Sequence, residues 1–141
     1  MPVEIHRGST PEAQEFERTW EREALRSLYG FTVIPHAQSH AFSALDGGRV
    51  TGIETIAIEF SLAHITRLIV APDRRCEGIG SALLRAGEEV ANYYNCHKMI
   101  VSVPNGSAAQ SFFERRGYHV EAVLRQHTFK LDMAVLRKFL L

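Results

Sequence analysis

The run Arg75-Cys76-Glu77-Gly78-Ile79-Gly80 is the part of this 141-residue chain best equipped for chemistry, and that chemistry is anion binding. It joins an apolar, strand-like segment, Ile65 to Val70, which stops at Pro72, to a helical pattern. The first amides of a helix have no partner within it, the helix dipole adds partial positive charge there, and phosphate binds readily at such an end. Loop amides ahead of the helix can form a concave nest of the same sign. Gly78 and Gly80 admit positive φ and let a ligand approach the backbone. An ordinary strand-to-helix turn has the same ingredients, so spacing alone leaves both readings open. No Lys-Ser/Thr follows the second glycine, as a P-loop requires, and no third glycine completes a dinucleotide pattern.

Taken at full length, Pro72-Asp73-Arg74-Arg75-x-x-Gly78-Ile79-Gly80-x-x-Leu83-Leu84 resembles motif A of the GNAT superfamily of N-acetyltransferases, Arg/Gln-x-x-Gly-x-Gly/Ala after the fourth strand. Further along, in the family's order, Ala109-x-x-Phe112-Phe113-Glu114-Arg115-Arg116-Gly117-Tyr118 is similar to its Ala-x-x-Phe-Tyr-Glu-Lys-x-Gly-Phe/Tyr. The resemblance covers about residues 40 to 138. It implies a single α/β domain over residues 1–141: a mixed, mostly antiparallel sheet with helices on both faces and splayed fourth and fifth strands. It also implies acetyl-coenzyme A as co-substrate and no metal. Arg75 and the amides of Cys76, Glu77, Gly78, Ile79, Gly80 and Ser81 would hold the pyrophosphate, and the backbone of Leu68, Ile69 and Val70 would align the pantetheine arm. Asn105, followed by Gly106, ends the fifth strand so that the gap can open; Asn105, Ala109, Phe112 and Phe113 would flank the cofactor.

The sequence departs from the family at three positions. Cys76 stands where a small residue is common, and Glu77 stands where a basic or neutral one is usual, so weaker binding of the phosphates is expected. Phe113 replaces a tyrosine that in many members protonates the leaving thiolate.

An attacking amine must be neutral. For a lysine-type amine near pKa 10.4 that costs about 4–5 kcal/mol at pH 7, against about 1 kcal/mol for an N-terminal amine. A base tuned near the working pH helps. His64, at the start of the motif-A strand, where some family enzymes place a glutamate, is the first candidate; its ordinary pKa suits the task. Glu54 and Glu59 on the preceding strand are held in reserve, acting through water. The expected function is transfer of acetyl from acetyl-coenzyme A to a primary amine of a small-molecule acceptor by direct attack. The alternatives are a non-catalytic acyl-coenzyme A binding or regulatory domain, and a protein N-terminal or lysine acetyltransferase.

Composition agrees with an ordinary globular domain: 45% hydrophobic, 23% charged and a formal net charge of zero. The neutral balance argues against nucleic acid as a partner. No apolar run is long enough to span a membrane, and Met1 to Arg7 does not read as a signal peptide. Cys76 and Cys96 fit neither a metal spacing nor a disulfide framework, so a cytoplasmic protein with two thiols is expected. His36 and His40, beside Pro35, make a poor metal pair. A homodimer is compatible with this reading.

The elements that must position these groups follow from periodicity. Val3 to Arg7 reads as a first strand. Thr10-Pro11 opens a helix that runs to Gly30, with Phe16 and Trp20 expected in the core. His40 to Leu45 and Val50 to Phe60 flank Asp46-Gly47-Gly48-Arg49 as a hairpin. His64 to Val70 is the fourth strand. A helix burying Ile79, Leu83, Ala86, Val90 and Tyr94 follows, then a strand from Lys98 to Val103. Ser107 to Gln110 is a capping-box start for a short helix closed by Gly117. Strands from His119 to Gln126 and Thr128 to Leu136 complete the chain.

Overall fold

The computed structural model describes residues 2–140, which divide into two compact units with the boundary between His36 and Ala37. The first unit holds helix α1 (Pro11–Tyr29). Its ends follow the expected chemistry. Thr10 accepts a hydrogen bond from the Ala13 amide at 3.1 Å, Pro11 occupies the first turn, and Gly30 closes the helix in the left-handed region. Two expectations fail here. Val3 to Arg7 forms no strand, and Val3 and Ile5 stay exposed. Phe16 and Trp20 touch one another, but both stay exposed and no residue of α1 is buried.

The second unit is a six-stranded sheet in the order β1-β2-β3-β4-β6-β5. Its elements are β1 (Gln38–Asp46), β2 (Arg49–Glu59), β3 (Leu62–Val70), α2 (Ile79–Tyr93), β4 (Lys98–Pro104), α3 (Ala108–Glu114), β5 (His119–Thr128) and β6 (Leu131–Phe139). All neighbouring strands are antiparallel except β3 and β4. The chain needs α2 as the connection that makes this parallel pair. The Gly47-Gly48 turn sits where the sequence places it, with φ of 57° and 82°. Two other hairpins turn without glycine, at Phe60-Ser61 and Phe129-Lys130, all four residues at positive φ. Thr128 consequently belongs to β5 rather than opening the last strand.

Helices α2 and α3 pack on one face of the sheet and on each other. A Cβ placed on Gly80 of α2 would lie 3.2 Å from the ring of Phe112 in α3. Beneath them Ile56, Ala63, Leu84, Met99, Tyr118 and Leu136 form a core closed to solvent. The alternation of β2 sends Glu54, Ile56 and Ile58 to this face, with Thr55 and Ala57 on the other.

Candidate active site

Strand β3 lies along β4 for only a short distance. The parallel pairing runs from Leu62↔Lys98 to His64↔Ile100 and ends there, although β3 continues to Val70 and β4 to Pro104. Beyond His64, β3 remains paired to β2 as far as Gly52↔Val70, so one edge of its backbone is open. Both strands point their carboxyl ends toward this gap, the position at which open α/β sheets take ligands.

The loop after β3 closes that end of the gap. Pro72–Arg74 make a 3₁₀ turn, Arg75 is extended, Cys76 takes φ of 64°, and Gly78 caps α2 at φ of 81° with no side-chain cap. The first amides of α2 are therefore not claimed by a capping side chain, and positive φ at Gly78 aims the chain into the helix at little steric cost. Arg74 is a brace. Its guanidinium lies 2.9 Å from Asp46 of the first hairpin and 3.0 Å from Glu77. Glu77 is thus paired within the loop, which offsets the repulsion expected from its charge. Arg75 is exposed, with no ion-pair or hydrogen-bond partner among the described residues. Cys76 is exposed and Cys96 is buried, both as free thiols.

Arg116, unremarked in the sequence beyond its place in the second motif, ties the two helices at the mouth of the gap. It donates to Ser81 Oγ at 2.7 Å and to the Phe112 carbonyl at 2.8 Å, and its guanidinium lies 3.7 Å from the centre of the Phe112 ring. Gly80 is constrained by the same contact with Phe112. Ser107 caps α3 by accepting from the Gln110 amide at 3.3 Å, and Gln110 in return accepts from the Gly106 amide at 2.7 Å, one residue earlier than in the usual box. Asn105 and Ala109 are exposed at the carboxyl end of β4.

Phe113, expected beside the cofactor, is a core residue. It is 4% exposed and packed edge-on against Phe112 and Tyr118. Tyr118 is also committed to structure: its hydroxyl donates to Glu88 at 2.8 Å, and Lys138 reaches the same carboxylate oxygen at 3.1 Å. Burial and the neighbouring Glu88 carboxylate push the Tyr118 phenol far above its ordinary range.

The three candidate bases part company. His64 pairs with Ala57 and Ile100 and so faces away from α2. It is half-buried at the point where β3 and β4 separate, and burial lowers its pKa, favouring the neutral, proton-accepting ring. Glu59 is exposed on the same face as His64. Glu54 is on the opposite face, 0% exposed and pressed against Gly87 of α2, with both carboxyl oxygens unbonded. Burial first, and Glu88 second, push its pKa up to about 8. A carboxyl sealed beneath a helix and protonated at neutral pH is not placed to take a proton from a ligand on the His64 side. Strand alternation carried this information, since Glu54 shares its parity with Ile56 and Ile58.

The opening is thus made of a parted parallel pair in a mixed sheet and an uncapped helix end beside it. The sequence profile of the Acetyltransferase (GNAT) family matches residues 5–118, and the chain belongs to that family. It is 29% identical over 126 residues to the uncharacterized N-acetyltransferase MJ1530 of Methanocaldococcus jannaschii, covering 82% of this chain and 78% of that one. Among solved structures, an acetyltransferase from Bacillus cereus superposes with a TM-score of 0.73 at 20% identity, over 96% of this chain and 97% of that one. The PaiA N-acetyltransferase of Thermoplasma acidophilum, solved in complex with coenzyme A, superposes with a TM-score of 0.63 at 18% identity, over 89% and 79%.

Proposed function

We propose that this acetyltransferase uses acetyl-coenzyme A as donor and the primary amine of a small molecule as acceptor, by direct attack. The observation that carries the reading is the end of the β3–β4 ladder at His64↔Ile100 beside an uncapped α2 N-terminus. The open edge of Leu68, Ile69 and Val70 suits an extended, amide-bearing pantetheine arm, which can hydrogen-bond to it as an added strand does. The amides from Cys76 to Ser81, with Arg75 beside them, suit the pyrophosphate. Residues Asn105, Ala109 and Phe112 border the same opening.

In this reading the amine nitrogen attacks the thioester carbonyl and the carbon–sulfur bond breaks. His64 accepts the proton that the amine loses, directly or through a water. Phe113 and the occupied hydroxyl of Tyr118 offer no donor to the departing sulfur. Water supplies that proton, which an ordinary thiol pKa near 8.5 permits. The donor is tested by thermal unfolding with acetyl-coenzyme A. A hundredfold excess over the dissociation constant is expected to stabilise the fold by about 2.7 kcal/mol. Gly78→Asp adds a side chain and a negative charge at a positive-φ position that faces open space. It is expected to abolish the shift while the protein stays folded, and an undiminished shift would overturn the proposed phosphate site. For His64→Ala, kcat/KM is expected to fall about 10²–10⁴-fold with donor affinity kept; a loss below about threefold would remove His64 from the mechanism and leave Glu59.

A further inference from the structure

We propose that Arg67 anchors a carboxylate of the acceptor, so that the substrate of this enzyme is a small zwitterionic amine of amino-acid type; the inference rests on the acetyl-transfer reading above.

Thr55 of β2 pairs with Arg67, but Ile56 pairs with Ile65, which leaves Thr66 as an extra residue in β3. This is a β-bulge, and it turns two successive side chains to one side of a strand. Thr66 and Arg67 are accordingly both exposed, whereas Ile65 before them is buried and Leu68 after them packs against the core. Without the extra residue, strict alternation would send Arg67 toward α2. The bulge is held by a pair of hydroxyls: Thr66 Oγ1 donates to the Thr55 carbonyl at 3.1 Å and lies 2.6 Å from Thr55 Oγ1.

The face onto which Arg67 is turned is the one that carries His64. Arg67 is the partner of Thr55, His64 of Ala57, and Leu62 of Glu59, so a cation, the candidate base and an anion follow one another along the same side of β2 and β3. Each step is about 7 Å at an ordinary strand rise, a spacing that the reach of an arginine side chain spans. Among the described residues neither Arg67 nor Glu59 has an ion-pair or hydrogen-bond partner, whereas Arg74 and Arg116 are both committed. The residues beside the row, Ala41, Thr55 and Ala57, are small. A guanidinium presents a planar fork that matches a carboxylate at two points. Glu59, on the other side of His64, attracts the ammonium before it is deprotonated. A molecule with a carboxylate and an amine a few bonds apart complements this row; a simple alkylamine leaves Arg67 unused.

The test compares amino acids with their own carboxamides as acceptors, by release of free coenzyme A, per unprotonated amine. For the wild-type protein, kcat/KM is expected to favour the carboxylate member by about tenfold or more, the scale of a charged hydrogen bond. Arg67→Gln is expected to bring the ratio near one by raising the acceptor KM, with the acetyl-coenzyme A KM unchanged; Arg67→Lys keeps the charge without the fork and is expected to fall between. Equal rates for both members in the wild type overturn the inference alone, as does a preference that survives in Arg67→Gln. An effect of Arg67→Gln confined to the acetyl-coenzyme A KM also overturns it and assigns the residue to the donor. Turnover of neither member, with acetyl-coenzyme A bound, overturns the small-amine acetyl-transfer reading itself.

Discussion

Glu54 is a carboxyl whose proton is set by where the fold puts it. Its pKa is raised from 4.5 to about 8 by burial and by Glu88. The folded state therefore holds the proton more tightly than the unfolded state does. The stability tied to this proton is fully present below about pH 4.5 and is lost as pH rises through about 8. Over that window the loss approaches roughly 5 kcal/mol. Glu54→Gln keeps the shape and removes the titration. Chemical unfolding from pH 5 to 9 is expected to show the wild type weakening with pH and the variant nearly level, with the variant the more stable at the alkaline end. Parallel profiles for the two proteins would mean that Glu54 is not protonated in the fold.

Strand β2 and helix α2 fit because Gly87 stands opposite Glu54. A Cβ added at Gly87 would lie 2.9 Å from Glu54 Cδ and 3.0 Å from Oε2, and the buried carboxyl has nowhere to retreat. Gly87→Ala is expected to destabilise the protein by about 1–3 kcal/mol, in spite of alanine's better helix propensity. In the background of Glu54→Ala most of that cost is expected to vanish, giving a coupling of about 1 kcal/mol or more in a double-mutant cycle. Additive costs would show that the two residues do not share this contact.

At the same scale, legibility followed the chemistry of the residues. The loop before α2 could be read because Gly78 and the break at Pro72 punctuate it, and α1 because Thr10, Pro11 and Gly30 each have a known place at a helix end. The Phe60-Ser61 and Phe129-Lys130 turns could not, because positive φ in aromatic, serine and lysine residues has no signal in composition; hence the misplaced boundary at Thr128. Val3 to Arg7 alternated like a strand, but a strand exists only where another supplies hydrogen bonds. The bulge at Thr66 was equally silent, since a register slip depends on two strands at once. The side on which Arg67 stands was hidden with it.

Over the whole molecule, burial is uneven. The buried core side chains lie between residues 51 and 136, and α1 contains none. A chain beginning at Ala37 is therefore expected to unfold cooperatively by circular dichroism and to keep the stabilisation by acetyl-coenzyme A, since Arg75 to Ser81 and the open edge of β3 all remain. Loss of cooperative unfolding would show that residues 1–36 are required by the sheet.

The two thiols differ as sharply as their surroundings. Cys96 is closed to solvent, whereas Cys76 stands exposed in the loop that precedes α2. A maleimide dye should therefore attach at a single, known position in the native protein and at a second only after denaturation. Because that position is in the proposed phosphate loop, the dye becomes an optical gauge of occupancy. Acetyl-coenzyme A should slow its attachment beforehand and alter its emission afterwards, so donor binding can be followed with no acceptor in hand.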